Sequence, residues 1–317
     1  MNEGHKDDAS LAMVTVAIPT FNRLTLLQRA VASALAQNYQ NLEIIISDNA
    51  SSDGTTEYLR SLDDVRLRII CGQTNVGMVS NWDRCLASAR GDYFLLMSDD
   101  DALLECSAVE KLVSGFLNNR GEAIGAVFSD VMLERTQKNI VEKTSSDKTL
   151  FSAEEIVIDF FMNKVAIFPC ATLLRTKDLR DLGGYSSFGA KLAVDACAWI
   201  SLTLKYGQIF RINEPLVLYR IHHSLSSSSI DTWSDDFTVM QALVEKYRAK
   251  VSLQGYKKMQ RAMNSAWCRI PLGYISRKLR EDSRYGFLLA LRDIFLFRKR
   301  IFTISNANFV LSKLFRI

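Results

Sequence analysis

The chain has 317 residues, 48% hydrophobic and 23% charged, which is apolar enough to bury a sizeable core and excludes a disordered or fibrous chain. Its formal charge of +4 is unevenly spread: residues 231–317 carry 17 Lys and Arg against 7 Asp and Glu, leaving 22 against 28 for residues 1–230. A basic tail on a mildly acidic body favours an anionic partner, yet Arg292-Asp293 and Arg298-Lys299-Arg300 interrupt the most apolar late segment and exclude a spanning helix of roughly 20 apolar residues.

The first residues, Met1-Asn2-Glu3-Gly4-His5-Lys6-Asp7-Asp8, lack the apolar core of a signal peptide. Val14-Thr15-Val16-Ala17-Ile18 then predicts a strand closed by Pro19. Asn22 offers a helix N-cap, and Leu24, Leu27, Val31, Ala34 and Leu35 recur at helical spacing. A second strand, Glu43-Ile44-Ile45-Ile46-Ser47, is continuously apolar, as expected where helices cover both faces of a sheet. It ends in the polar run Asp48-Asn49-Ala50-Ser51-Ser52-Asp53-Gly54-Thr55. A short helix through Glu57-Tyr58-Leu59, a third strand at Arg66-Leu67-Arg68-Ile69-Ile70, and Asn75-Val76-Gly77 opening a helix over 79–89 follow.

The fourth strand, Tyr93-Phe94-Leu95-Leu96-Met97, delivers Ser98 and three consecutive carboxylates, Asp99, Asp100 and Asp101, to a sheet edge. Adjacent carboxylates repel and resist burial, so they need water or a cation. Two readings fit: a solvated turn capping the next helix, or a site for a hard divalent ion such as Mg2+ or Mn2+ that in turn holds phosphates. Four strand-then-helix units in about 100 residues imply a parallel sheet with right-handed crossovers, and ligands of such sheets bind beyond the carboxyl ends of the strands. The polar clusters after Ile18, Ser47, Ile70 and Met97 then share one rim.

Ser107 with Glu110 gives a capping-box signature for a helix ending near Asn118-Asn119. Ala126-Val127-Phe128 and Val131-Met132-Leu133, split by Ser129-Asp130 and followed by a charged stretch to Lys148, read as an exposed hairpin or loop. A helix over 154–162 and a strand over 171–175 come next. Leu182-Gly183-Gly184-Tyr185 is a turn signal ahead of a helix carrying Asp195 and Trp199. Residues 209–221 read as extended and broken at Pro215, closing on His222-His223 and a Ser-rich loop to Ser229, the best domain boundary in the chain. From Trp233 onward the pattern is helical. Its basic amphipathic part, with Phe287, Leu288, Leu291, Ile294 and Phe295 on one face, suits either an anionic bilayer surface or packing on the main body. The six cysteines include no CxxC pair and read as reduced, mostly buried thiols of a cytoplasmic protein.

No G-x-G-x-x-G follows a strand, which argues against a dehydrogenase, and Thr20-Phe21-Asn22-Arg23 lacks the glycines of a nucleotidyltransferase loop. Nucleic acid is not an expected partner, because the basic tail holds no recognised module.

In order, Ile18-Pro19-Thr20-Phe21-Asn22-Arg23, the Asp48 to Thr55 run, Asn75-Val76-Gly77, the Asp triplet, Gly183-Gly184-Tyr185, Asp195 and Glu214-Pro215-Leu216-Val217-Leu218-Tyr219-Arg220 resemble the inverting family 2 glycosyltransferases of bacterial surface-polysaccharide assembly. The resemblance implies the GT-A nucleotide-diphospho-sugar fold, a mostly parallel α/β sheet with helices on both faces, plus a helical C-terminal region. It implies a catalytic domain over 13–230 after a polar leader at 1–12, with a nucleotide-binding half (13–105) and an acceptor half (106–230), and a basic helical region at 231–317.

The activity implied is metal-dependent transfer of a sugar from a UDP- or dTDP-linked donor to a hydroxyl of a glycan or lipid-linked acceptor. On that basis Thr20, Asn22, Arg23, Asp48, Asn75, Gly77 and Asp99 approach the nucleotide, and Asp48 meets the base edge. Asp100 and Asp101, with His222 or His223, would hold Mn2+ or Mg2+; aligned on Ala102-Leu103, the usual first Asp falls on Ser98. Asp195 stands where the family's acceptor-activating carboxylate resides, though Val194 replaces the usual preceding Glu. Read by itself, Asp195 is an exposed helix carboxylate, and Trp199 is either a sugar platform or a core residue. A lipid-linked acceptor would account for the basic tail as a peripheral contact with anionic membrane.

Overall fold

The computed structural model describes residues 12–119, 121–135, 138–142, 147–221 and 230–281. Strand β1 (Val14–Thr20) pairs in parallel with β2 (Leu42–Asp48) on one side and β4 (Tyr93–Leu96) on the other, and β3 (Leu67–Cys71) extends the sheet beyond β2. Side chains alternate between faces, so each strand feeds two cores. Val16, Ile18, Ile44 and Ile46 pack on one face against α1 (Leu24–Leu35) and α4 (Ala108–Leu117), while Ala17, Ile45 and Phe94 enter the other. That second core takes Cys85 and Leu86 from α3 (Met78–Ser88), Ile156 and Val157 from α5 (Ala153–Phe161), and most of α7 (Val194–Tyr206).

The sheet order is β3-β2-β1-β4-β9-β6-β10-β5, with β9 (Thr172–Arg175) inserted antiparallel between β4 and β6 (Ile124–Arg135). Strand β10 (Gln208–Arg220) runs parallel to β6 and receives β5 (Ala102–Leu103) antiparallel. Hairpin strand β7 (Lys138–Glu142) pairs with β6, and β8 (Leu150–Ser152) with β10. Short α2 (Thr55–Arg60) and α6 (Thr176–Asp181) complete the body. Helices α8 (Ile230–Lys246) and α9 (Leu253–Glu281) join the same core through Phe237, Val244, Met259 and Met263.

Several expectations change. Residues 126–133 are not an exposed loop: Ser129 and Asp130 are buried within β6, and Arg211 of β10 donates Nε and Nη2 to the two oxygens of Asp130 at 2.8 and 2.6 Å. The polar pair survives burial because a complete charge partner meets it. Extended structure is not broken at Pro215; β10 continues through it with register shifts on either side, the position where a residue without N–H costs no ladder bond. Asn22 does not cap α1. It adopts φ +52°, and Asp53 Oδ2 accepts the Leu24 N–H instead, at 2.9 Å. Ser107 occupies the N-cap of α4 without a side-chain cap bond, whereas Ser152 and Glu155 form a full capping box on α5. Cys85, Cys170 and Cys197 are buried thiols, but Cys71 and Cys106 are exposed.

Candidate active site

The carboxyl ends of β1, β2 and β4 converge as their order in the sheet requires. Thr20, the last residue of β1, donates Oγ1 to Asp99 Oδ2 at 2.8 Å. Three residues on, Arg23 places Nη1 3.1 Å from Asp99 Oδ1 and 3.0 Å from Asp100 Oδ2. Both carboxylates are buried while the guanidinium side is open to solvent. Burial disfavours the charge on Arg23, but Asp99 and Asp100 outweigh it and the guanidinium is held more firmly protonated than usual. Burial also raises the Asp99 carboxyl, with the Asp100 charge acting in the same direction and Thr20 and Arg23 against it.

Asp101 turns away from this pair. It is buried, accepts the Arg220 N–H through Oδ1 at 3.2 Å, and leaves Oδ2 without a hydrogen-bond partner. Burial, then the charge of Asp100, pushes its carboxyl up to about 7. The triplet is thus a folded turn, with the Asp101 N–H donating to the Ser98 carbonyl at 3.2 Å, in which Asp99 and Asp100 share Arg23 and Asp101 turns to Arg220.

The end of β2 is tied by the same logic. Asp48 is buried and accepts from Ser51 N at 3.0 Å and Thr56 Oγ1 at 2.9 Å, leaving lone-pair capacity for a ligand donor. Asn22 Oδ1 accepts the Ser52 N–H at 2.7 Å and ties the β1 loop to that turn. Asn75 and Gly77 reach the rim through a residue the sequence reading passed over: Asn49 donates Nδ2 to Asn75 Oδ1 at 2.8 Å and accepts the Val76 N–H at 3.0 Å. Asn75 Oδ1 also accepts the Gly77 N–H at 2.8 Å, and Gly77 adopts φ +87°, a conformation that suits glycine.

Asp195 lies in the first turn of α7, half-buried. Burial is the main reason its carboxyl is pushed up to about 6; its own and the Ala196 N–H act against the shift, and Asp236 adds to it. Trp199 is a core residue, 2% exposed and edge-on to Phe160 at 5.2 Å between ring centroids, so it is no sugar platform. Tyr219 lies near the end of β10. Its phenol is pushed up first by burial and then by the neighbouring Asp101, Cys170, Asp100 and Asp195. His222 lies outside the described residues, as do His223, the Ser-rich loop and residues 282–317.

Two further carboxylates hold the backbone around α7 and carry no local sequence signal. Asp83 of α3 accepts Tyr185 N at 2.7 Å and Ser186 N at 2.9 Å, and Asp236 of α8 accepts the N–H groups just before α7. Among the described residues no group of three His, Cys, Asp or Glu side chains forms a ready-made metal cage. The donor set nonetheless has the chemistry of a hard ion's ligands: buried carboxylate oxygens, one of them, Asp101 Oδ2, with no hydrogen-bond partner, although Arg23 already holds one oxygen each of Asp99 and Asp100.

A model of glycosyl transferase family 2 matches residues 15–183, more than half of the chain. The chain is 33% identical over 155 residues to the GalNAc(5)-diNAcBac-PP-undecaprenol beta-1,3-glucosyltransferase of Campylobacter jejuni, a match spanning 48% of each protein. It is 26% identical over 219 residues to the putative teichuronic acid biosynthesis glycosyltransferase TuaG of Bacillus subtilis, spanning 68% of this chain and 82% of that one. Among solved structures, S. aureus TarS 1-349 in complex with UDP superposes with a TM-score of 0.62 at 14% identity over 87% of this chain and 75% of that one. The mannosyltransferase PcManGT from Pyrobaculum calidifontis, in complex with GDP-Man and Mn2+, does so with a TM-score of 0.56 at 15% identity over 96% and 84%. The sheet and rim define a GT-A architecture, and the chain belongs to glycosyl transferase family 2.

Proposed function

We propose that this enzyme transfers a sugar, with inversion, from a UDP- or dTDP-linked donor to a hydroxyl of a glycan or lipid-linked acceptor in bacterial surface-polysaccharide assembly. The observation that carries the reading is the convergence of Thr20 and Arg23 on the buried carboxylates Asp99 and Asp100 beyond the carboxyl ends of β1 and β4. Asp48 would accept from a ring N–H of the base, beside Asn22 and the turn that Asn75 and Gly77 close with Asn49. Thr20, Arg23 and Asp99 would line the diphosphate. Asp100 and Asp101, with His222, would hold Mg2+ or Mn2+. When bound, such an ion supplies neutralisation of charge developing on the leaving diphosphate.

Asp195 would take the acceptor hydroxyl proton as the oxygen attacks. A carboxyl raised to about 6 is ionised at neutral pH yet a better base than a solvated Asp. The lipid-linked character of the acceptor rests on the Campylobacter relative, whose name specifies an undecaprenol-linked glycan, and on the basic balance of residues 231–317. Among the described residues no helix is long and apolar enough to cross a membrane. The contact proposed is peripheral, on the cytoplasmic face, through the basic balance of residues 231–317.

Calorimetric titration of UDP with and without Mn2+, on the wild type and Asp100→Asn, tests the donor site. Mn2+-dependent UDP binding that weakens in the variant is expected; equal binding by both proteins would contradict it.

A further inference from the structure

The loop leading into α7 is anchored by a residue with no part in the scheme above. Asp236 is fully buried on α8 and accepts three successive backbone N–H groups: Lys191 N at 2.7 Å on Oδ1, and Leu192 N at 2.6 Å and Ala193 N at 2.7 Å on Oδ2. These residues immediately precede Val194, where α7 begins. The N-cap position itself is Ala193, whose side chain offers no acceptor; Asp236 takes the N–H of Ala193 and of the two residues before it, and so anchors the entry to α7 from a different helix. Its neighbour Phe237 packs against Phe161 and Trp267, with ring centroids 5.9 and 4.3 Å apart, and fixes where α8 lies. At the far end of the same loop Asp83 holds Tyr185 and Ser186.

We propose that Asp236 is a positioning residue for Asp195: through three N–H groups it sets where α7 starts, and hence where the Asp195 carboxylate stands. The inference rests on the reading of Asp195 as the base. The charge of Asp236 also reaches Asp195 and acts in the same direction as burial. The other titratable groups that face Asp195 are Tyr185 from the loop, Cys197 from its own helix and Tyr219 from β10; all three are pushed upward and are neutral at pH 7. Among the described residues, then, the charge acting on Asp195 is that of Asp236. The C-terminal helices thereby contribute to the catalytic apparatus rather than forming a detachable appendage.

The test is a titration of full-length protein carrying 13Cγ-labelled Asp, with the Asp195 resonance assigned by its loss in Asp195→Asn. A wild-type midpoint near 6 is expected, and Asp236→Asn should lower it by about half a unit or more, because a nearby like charge is removed. An unmoved midpoint in the folded variant would overturn the proposal. If Asp236→Asn does not fold, Asp236→Glu keeps the charge and displaces the cap. With whichever nucleotide sugar supports turnover it should retain donor KM and lose about tenfold or more in kcat, the scale of a small misplacement of a catalytic group; wild-type kcat would overturn the proposal. Full turnover by Asp195→Asn would instead remove the base assignment, and the midpoint comparison would still report whether Asp236 acts on that side chain.

Discussion

Arg23 Nη1 lies 3.0 Å from Asp100 Oδ2, and the same nitrogen reaches Asp99 Oδ1 at 3.1 Å. One guanidinium therefore compensates two buried carboxylates. Arg23→Ala should destabilise the metal-free protein by about 1–3 kcal/mol, the cost of leaving buried charge less well partnered. Added Mn2+ should then raise the melting temperature of the variant more than that of the wild type. Thermal denaturation with and without Mn2+ checks both halves of this expectation.

Asp195 sets a pH dependence whose sign follows from its burial. The folded carboxyl is raised from 3.8 to about 6, so the folded state binds the proton more tightly than the unfolded chain. Stability from this group is present below pH 4 and is lost as pH rises through about 6. Asp195→Asn should therefore be more stable than the wild type at pH 8, by at most about 3 kcal/mol for a shift of this size. Urea denaturation at pH 5 and pH 8 reads the difference, and the gain should shrink at pH 5. On the base role proposed for Asp195, turnover runs the other way, with an acid limb near pH 6 as the carboxylate becomes protonated.

The Arg211–Asp130 pair tests the account of the central sheet. Both side chains are buried, with two bonds of 2.8 and 2.6 Å. Asp130→Ala strands the guanidinium and should cost about 3–5 kcal/mol in chemical denaturation. Replacing both residues with apolar side chains of similar volume should cost less than that single change.

Gly184 carries the turn that Asp83 anchors. Its φ is +77°, and a Cβ there would meet Asp83 Oδ1 at 2.6 Å. Gly184→Ala should cost about 1–3 kcal/mol in backbone strain, on top of displacing Asp83 from Tyr185 and Ser186. On the donor site proposed around Thr20, Arg23 and Asp99, donor affinity should hold while kcat falls.

The first four strands and their rim were legible because their signals are local. An apolar run ending in polar residues marks a strand and its rim, which is how Thr20, Asp48 and Asp99 were found on one edge. The remainder depended on partners distant in sequence. Asp130 looked like a loop residue because Arg211 is 81 positions away, and Asn22 looked like a cap because Asp53, which does the capping, sits on the next turn. Asp83 and Asp236 act on backbone N–H groups, which have no residue-type signature at all. Trp199 shares the sequence spacing of a site residue with Asp195 but is turned into the core by Phe160.

The central claim is that Asp195 performs chemistry beside a donor site built by Thr20, Arg23, Asp99 and Asp100. The most direct measurement pairs UDP binding by calorimetry with sugar transfer by Asp195→Asn in the presence of Mn2+. Unchanged UDP affinity with transfer reduced about 100-fold or more is the expected result, the scale of losing a general base. Wild-type transfer by the variant, or loss of UDP binding along with activity, would contradict it.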